Sequence, residues 1–270
     1  MLTYRLLPAV AAMAVAGWAG SASSAEILRV GGTGGALGMM TQVAAAFEAT
    51  SGIKLEILAS LGSNGALRAV GDGAIEVALS ARKLTPAETK PGLVVVPFAR
   101  TALVFVTSHP KPNGWKSDEL AGIFGSKIRN WNDGTPLNII LRTKVDSDTA
   151  IIGEIFPGVR DALEQTRKRP DVPIASTDQD SAELAENLTG SFVQAGLSQI
   201  VSERRRLRLV AINGVNPSLA NLESGAYPYE KLFYLVFRKG NQNVEALVKF
   251  MASEQAREIL RETGNLPVSE

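Results

Sequence analysis

Short apolar runs alternate with segments of helical periodicity along most of the chain. The run at 27–30 has the length of a strand, and over 36–49 the residues Leu37, Met40 and Val43 recur at helical spacing. Strands separated by helices favour βαβ units, so we expect an α/β fold with mostly parallel sheets flanked by helices. Further strands are predicted over 53–58, 75–79, 93–97, 101–107, 137–141, 191–194, 207–212 and 233–237, and further helices over 66–70, 118–124, 149–166, 178–188 and 243–261.

Gly, Pro and Ser residues bound several of these elements. Gly52 is a stop signal for the first long helix, the sequence GSNG at 62–65 predicts a turn, and Ser117 is expected to cap a helix. A Pro-Gly pair at 157–158 predicts an interruption within the longest helical segment. The stretch 109–114 (HPKPNG) is rich in Pro and Gly, and we interpret it as the crossing between two domains.

The N-terminal segment 1–25 has the pattern of a secretory signal peptide. Arg5 is its only charge, an apolar run covers 6–18, and small residues lead to a small-x-small cleavage site ending at Ala25. The alternative is a membrane anchor, but the run is shorter than the roughly 20 residues that a spanning helix needs. We therefore expect export to the periplasm and a mature chain that begins near Glu26.

Composition excludes several classes of function. The 28 Lys+Arg and 27 Asp+Glu nearly cancel, which argues against a general nucleic-acid binder. The absence of Cys excludes thiol catalysis, disulfides, Cys-bound metals and a lipid anchor on an N-terminal Cys. The single histidine, His109, is expected at a linker or surface position, and no G-x-S-x-G elbow or calcium loop occurs. Most acidic residues fall at helical, solvent-facing positions, so we expect no enzyme, no cofactor and no metal; a hydrolase remains the weaker alternative.

Glycine and hydroxyl residues follow several predicted strands. The loop 31–35 resembles a dinucleotide fingerprint but misses it, because the third glycine of that motif would stand where Leu37 does. Similar loops occur at 62–65, 80–82 and 146–149, at the carboxyl ends of strands, where open α/β sheets bind ligands. Each loop alone is an ordinary tight turn. Together, their amides and hydroxyls could hold a small anion with an affinity of roughly micromolar.

The order of these features resembles the phosphate-type solute-binding proteins of bacterial ABC transporters, which have the type II periplasmic binding fold. The most specific stretch is 120–133 (LAGIFGSKIRNWND), and Arg142 follows it at the expected distance. The resemblance covers nearly the whole mature chain. Its other segments are 31–35, 61–65, 75–81, 147–149, 190–193 and 227–229.

The resemblance implies two lobes that close around an oxyanion such as phosphate. One lobe would comprise 26–108 and 229–270 and the other 109–228, with hinge crossings between them. The protein would be a monomer that delivers its ligand to an inner-membrane ABC permease. The residues that match the family's binding positions, or lie in the corresponding loops, are Thr33, Gly34, Gly35, Ser63, Asn64, Ser80, Arg142, Ser147 and Thr149.

Three departures from the family pattern affect the ligand. Ala81 stands where an acid is expected, with Arg82 beside it; Asp148 replaces a small Gly; and the segment 142–147 is one residue longer. A carboxylate facing a dianion is repulsive unless Asp148 points away or is paired. These departures, with the basic run 204–208, motivate an alternative function as an accessory or sensory module that contacts a protein partner.

Overall fold

The computed structural model describes residues 27–268. The predicted signal peptide and its cleavage site lie outside the described residues. Between residues 27 and 268, no helix is both long enough and apolar enough to cross a membrane.

Eleven strands and ten α-helices alternate along the described chain. The strands are β1 (Ile27–Gly32), β2 (Lys54–Ile57), β3 (Val77–Ser80), β4 (Leu93–Thr107), β5 (Asn138–Ile139), β6 (Leu141–Arg142), β7 (Ile174–Ala175), β8 (Ser191–Gly196), β9 (Arg208–Val210), β10 (Glu230–Arg238) and β11 (Asn265–Pro267). The helices are α1 (Leu37–Ser51), α2 (Gly62–Gly71), α3 (Leu120–Phe124), α4 (Ser147–Ile155), α5 (Val159–Thr166), α6 (Asp178–Asn187), α7 (Leu197–Ser202), α8 (Leu219–Glu223), α9 (Gln242–Met251) and α10 (Glu254–Glu262).

The central sheet has nine strands, and its main path runs β2-β1-β3-β10-β4-β8-β5. β1 pairs in parallel with β2 and β3, and β5 pairs in parallel with β8. Between these groups, β10 is antiparallel to both β3 and β4, and β6 and β7 form a separate parallel pair. The predicted α/β class, with helices flanking the sheet, is confirmed.

β4 is a single strand of fifteen residues and links the two parallel groups. Its first part pairs with β10, and Leu103–Val106 pair with β8. The sequence predicted two separate strands here, 93–97 and 101–107, and the first ends at Pro97, which cannot donate a ladder hydrogen bond. The strand continues through Pro97 because the register shifts opposite it: Tyr234 pairs with Pro97 and the preceding Phe233 with Ala99.

The buried apolar side chains form three clusters. One lies under α1, where Met40, Val43 and Phe47 pack on the first strands, and a smaller one lies under α2. The largest is centred on Phe105 of β4 and collects the apolar residues of the segment between α3 and α8. The predicted lobe boundaries are not fixed by this packing and stay a prediction.

Two predicted element boundaries are wrong. α2 begins at Gly62 rather than at residue 66, so the predicted turn at 62–65 is the first turn of the helix. Glycine is a poor helix former, and the two glycines concealed this turn from the sequence pattern. The predicted helix over 243–261 is two helices, because Ser253 caps α10 by accepting a hydrogen bond from the amide of Ala256 (3.3 Å).

The start of the helical segment near residue 117 also differs from the prediction. Ser117 is the first residue of a short 3-10 turn, Ser117–Glu119, and Lys116 takes the cap position. The Glu119 carboxylate accepts the Lys116 amide at 2.7 Å, which anchors the turn. Serine therefore contributes no cap here.

His109 is buried, contrary to the prediction of a linker or surface position. Its side chain is 3% exposed and its ring stacks on Trp131 with a centroid distance of 5.0 Å. Nδ1 accepts the amide of Lys111, so the proton lies on Nε2, which donates to Asp133 Oδ2 at 3.0 Å. Trp131 and Asp133 lie more than twenty residues along the chain, so the local Pro-rich sequence gave no sign of this contact.

Phe105 is the side chain on which the largest cluster depends. Its ring contacts those of Phe124, Phe156 and Phe192, with centroids 5.2 to 6.0 Å apart. We expect Phe105→Ala to lower the free energy of unfolding by about 3–5 kcal/mol, because it leaves a cavity among three rings. Urea denaturation measures this, with the exposed Val201→Ala as the control that should change stability by less than about 0.5 kcal/mol. Equal effects of the two substitutions would contradict the packing described.

Candidate functional site

Arg142 ends β6 and carries a buried guanidinium group. Its side chain is 3% exposed, and Nη2 lies 2.7 Å from Asp146 Oδ2 and 3.5 Å from Asp178 Oδ2. Burial opposes the charged form, but Asp178 and Asp146 outweigh it and raise the pKa of Arg142. Within residues 27–268, its Nε and Nη1 atoms have no hydrogen-bond partner. A buried guanidinium with two unpartnered nitrogens is a ready donor for an oxyanion.

Asp146 caps the N-terminus of α4 with its own carboxylate. Oδ1 accepts hydrogen bonds from the amides of Asp148 (3.0 Å) and Thr149 (3.2 Å). The hydroxyl of Thr149 donates to the carbonyl of Thr143 at 3.1 Å. The sequence suggested the first turn of this helix as an anion site. Two of its amides are already bound by the Asp146 side chain of the same loop.

The N-terminus of α2 faces α4 and touches it. The hydroxyls of Ser63 and Ser147 lie 3.4 Å apart, and the side-chain amide of Asn64 donates to the carbonyl of Val145 at 2.9 Å. Ser63 Oγ also accepts the amide of Ala81 at 3.0 Å. The Ser63–Ser147 and Asn64–Val145 contacts join segments more than eighty residues apart in the chain, so the two helix N-termini form opposite walls of one site.

Arg82 supports this wall rather than pointing to a ligand. Its Nε donates to Asn64 Oδ1 at 2.8 Å, and its two terminal nitrogens bind Glu88 at 2.6 and 2.7 Å. The hydrogen bond from Arg82 is the main reason why the pKa of Glu88 falls to about 2. Ser80 donates to the carbonyl of Arg82 at 2.6 Å, which fixes the turn after β3. Arg82 therefore orients Asn64.

A cavity of about 210 Å³ lies between the two helix N-termini. Four of the residues proposed from the sequence line it: Ser63, Asn64, Arg142 and Ser147. Its other lining residues are Ser60, Leu61, Gly62, Gly65, Arg68, Thr143, Val145, Asp146, Ser176 and Thr177. We call this space the outer cavity.

The glycine turn after β1 lies behind the outer cavity. The Gly34 carbonyl accepts a hydrogen bond from Gln179 at 3.0 Å, and the Thr33 amide donates to the Leu79 carbonyl at 2.9 Å. A Cβ atom on Gly34 would stand 2.7 Å from Asp178 Oδ2, so only glycine permits this close approach of α6. Thr33, Gly34, Gly35, Ser80 and Thr149 are thus not among the residues that line the outer cavity. A ligand role for any of the nine residues stays a prediction.

Asp148 and Lys231 form a buried ion pair next to this turn. Lys231 Nζ lies 2.6 and 2.7 Å from the two carboxylate oxygens of Asp148, and the side chains are 0% and 3% exposed respectively. Burial raises the pKa of Asp148 to about 6, against the opposing effect of Lys231 and with added repulsion from Asp146 and Asp178. These aspartates also raise the pKa of Lys231 against the effect of burial. The substituted position 148 is therefore paired within the protein.

The sequence analysis missed Lys231 and Asp178. In β10, positions 231, 233 and 235 lie on one buried face of the strand, and Lys231 is the one cation among them. The alternation of side chains along a strand was therefore the signal that could have identified a buried lysine. Asp178 lies at the start of α6, and its burial depends on contact with Gly34, which is distant in sequence. The expectation of solvent-facing acids is wrong for Asp148 and Asp178. These carboxylates still form no metal site, since the residues from 27 to 268 contain no group of three potential ligands arranged to hold an ion.

The chain belongs to the PBP superfamily, because the model of the PBP superfamily domain matches residues 19–255. Among curated proteins, it is 24% identical over 218 residues to the phosphate-binding protein PstS of Borreliella burgdorferi, an alignment that covers 77% of each chain. The resemblance inferred from the sequence is thereby confirmed.

Solved structures show the same fold. A putative phosphate ABC transporter substrate-binding protein from Clostridium perfringens, with bound phosphate, superposes with a TM-score of 0.77 at 18% identity and covers 90% of this chain and 100% of its own. The periplasmic molybdate-binding protein of Azotobacter vinelandii has a TM-score of 0.63 at 18% identity, with coverage of 90% and 100%. At these identities, the similarity establishes the fold.

Proposed function

We propose that the chain is an exported solute-binding protein that captures a small oxyanion, phosphate or a related anion, for uptake by an inner-membrane ABC permease. The observation that carries this proposal is the buried guanidinium of Arg142, with Nε and Nη1 unpartnered among the described residues, at the wall of the outer cavity. The similarity to phosphate- and molybdate-binding proteins supports the choice of ligand class.

The outer cavity supplies three kinds of anion donor. Arg142 offers charged N–H donors at Nε and Nη1, and an oxyanion oxygen can accept a hydrogen bond from either nitrogen. The first amides of α2 have no partners within their helix, and the helix dipole places positive charge there. The hydroxyls of Ser63 and Ser147 can rotate to donate. Neutral donors and one arginine therefore suffice, which agrees with a chain of almost zero net charge.

We propose that the binding site lies between two lobes, 26–108 with 229–270 and 109–228. The contacts Ser63–Ser147 and Asn64–Val145 cross this division and support a closed arrangement. Opening would break these contacts and the Asp148–Lys231 pair, together with the hydrogen bonds Gln179–Gly34 and Ser198–Thr101 and the Arg261–Glu223 ion pair.

We propose a binding role without catalysis. Both ring nitrogens of His109 have partners, and the ring is stacked on Trp131, so no free general base of this type is available in residues 27–268. The basic run suggested for the accessory-module alternative is partly neutralised, since Arg205 Nε lies 2.7 Å from Glu203. That alternative gains no support from the site.

Arg142→Gln should weaken oxyanion binding. Loss of a hydrogen bond from a charged donor predicts an affinity at least about 10-fold lower in isothermal titration calorimetry with phosphate, sulfate, arsenate, molybdate and tungstate. Arg142→Lys retains the charge, and its affinity should lie between those of the native protein and Arg142→Gln. The matched control is Arg160→Gln, whose side chain is 61% exposed and which should bind as the native protein does. If the native protein binds none of these anions, or if Arg142→Gln binds unchanged, the proposed ligand class or site is wrong.

Export should remove the first 25 residues. We expect the intact mass of the protein recovered from the periplasmic fraction to correspond to a chain that begins at Glu26, as the small-x-small site at Ala25 predicts. A protein that keeps its N-terminus and is found only in the cytoplasmic fraction would contradict the proposed location.

A further inference from the structure

We propose that Asp148 is a built-in anionic ligand: its carboxylate occupies an inner anion subsite at Lys231, and it thereby confines the free ligand to the outer cavity. Asp148 is then a specificity-determining residue. The subsite itself follows from the buried charges, whereas the effect on the free ligand rests on the proposed oxyanion-binding function.

The subsite is built around the ammonium group of Lys231. The side chain is completely buried on β10, and Nζ would lie 3.3 Å from a Cβ atom on Gly35, so the absence of a side chain there leaves space at the ammonium. Phe233 closes another side, with its ring centroid 5.5 Å from Nζ. A cation in such a place requires an anion, because an unpaired buried charge is strongly destabilising.

Asp148 supplies that anion from the opposite side of the site. It belongs to α4, 83 residues away from Lys231 in the chain, and both of its oxygens lie within 2.7 Å of Nζ. This is the contact that a free carboxylate or oxyanion would make with the same ammonium. The residue therefore acts as a tethered ligand held by its helix.

The charge balance shows how Asp148 affects the ligand. Two buried cations, Arg142 and Lys231, face the three carboxylates of Asp146, Asp148 and Asp178. The cluster is formally one charge negative, so a dianion that enters the outer cavity meets a net repulsion in a region of low dielectric. Without Asp148 the cluster would be neutral and Lys231 would be free to bind an oxyanion.

Three variants separate these effects. Asp148→Ala empties the subsite, Asp148→Asn removes the charge but keeps the volume, and Asp148→Ala/Lys231→Met removes both charges. Binding of sulfate is measured by calorimetry, and thermal unfolding is followed with sulfate or acetate at constant ionic strength. The double variant corrects for the general stabilising effect of these salts.

We expect Asp148→Ala to bind sulfate about 10- to 100-fold more tightly than the native protein, as one added charge-assisted hydrogen-bonding partner implies. Its melting temperature should also rise with acetate or sulfate more than that of the native protein. The gain should disappear in the double variant, and it should be smaller in Asp148→Asn, which removes the repulsion but whose amide still fills the space.

Several results would overturn the inference. These are a folded Asp148→Ala protein with unchanged anion affinity, a gain that survives Lys231→Met, or an equal gain in Asp148→Asn. The inference would also be overturned if Asp148→Ala stayed unfolded in high sulfate while the double variant folded. That result would mean that a free anion cannot replace the carboxylate of Asp148.

The experiment distinguishes failure of the inner-subsite inference from failure of the proposed function. A native protein that binds no oxyanion, together with a Lys231-dependent gain in Asp148→Ala, would refute the proposed function and support the inner subsite. Native binding that depends on Arg142, with no gain in Asp148→Ala, would do the reverse.

Discussion

The arrangement of the site depends on one constraint: the ammonium group of Lys231 is completely buried and must be neutralised inside the protein. Asp148 meets this need from α4, and Asp178 approaches from α6 because Gly34 has no side chain to exclude it. These contacts hold the N-terminus of α4 against α2 and the N-terminus of α6 against the glycine turn. One ion pair therefore both neutralises a buried cation and joins α4 to β10.

This constraint also explains why only part of the expected binding surface is available. Asp146 already caps the amides of α4, and the glycine turn faces Asp178 and Lys231. What remains is the outer cavity, where the guanidinium of Arg142 keeps two nitrogens without partners among residues 27–268. The chain thus keeps the fold of the PBP superfamily, and its own carboxylates lie against Arg142 and Lys231.

The sequence predicts well those features that depend on neighbouring residues. The end of α1 at Gly52 and the break between α4 and α5 near Gly158 follow from glycines that adopt positive φ angles of 72° and 77°. It predicts poorly what depends on distant partners. Nothing near Asp148 identifies Lys231 as its counter-ion, and nothing near His109 indicates burial. Resemblance to a family located Arg142 but could not show which of its nitrogens are free.

A crystal structure of the protein soaked in selenate tests the account most directly, because anomalous scattering from selenium locates the anion without ambiguity. The account predicts one selenate in the outer cavity, bound to the guanidinium group of Arg142, with the Asp148–Lys231 pair unchanged. Selenate bound to Lys231 with Asp148 displaced would contradict it, as would the absence of any selenate near Arg142.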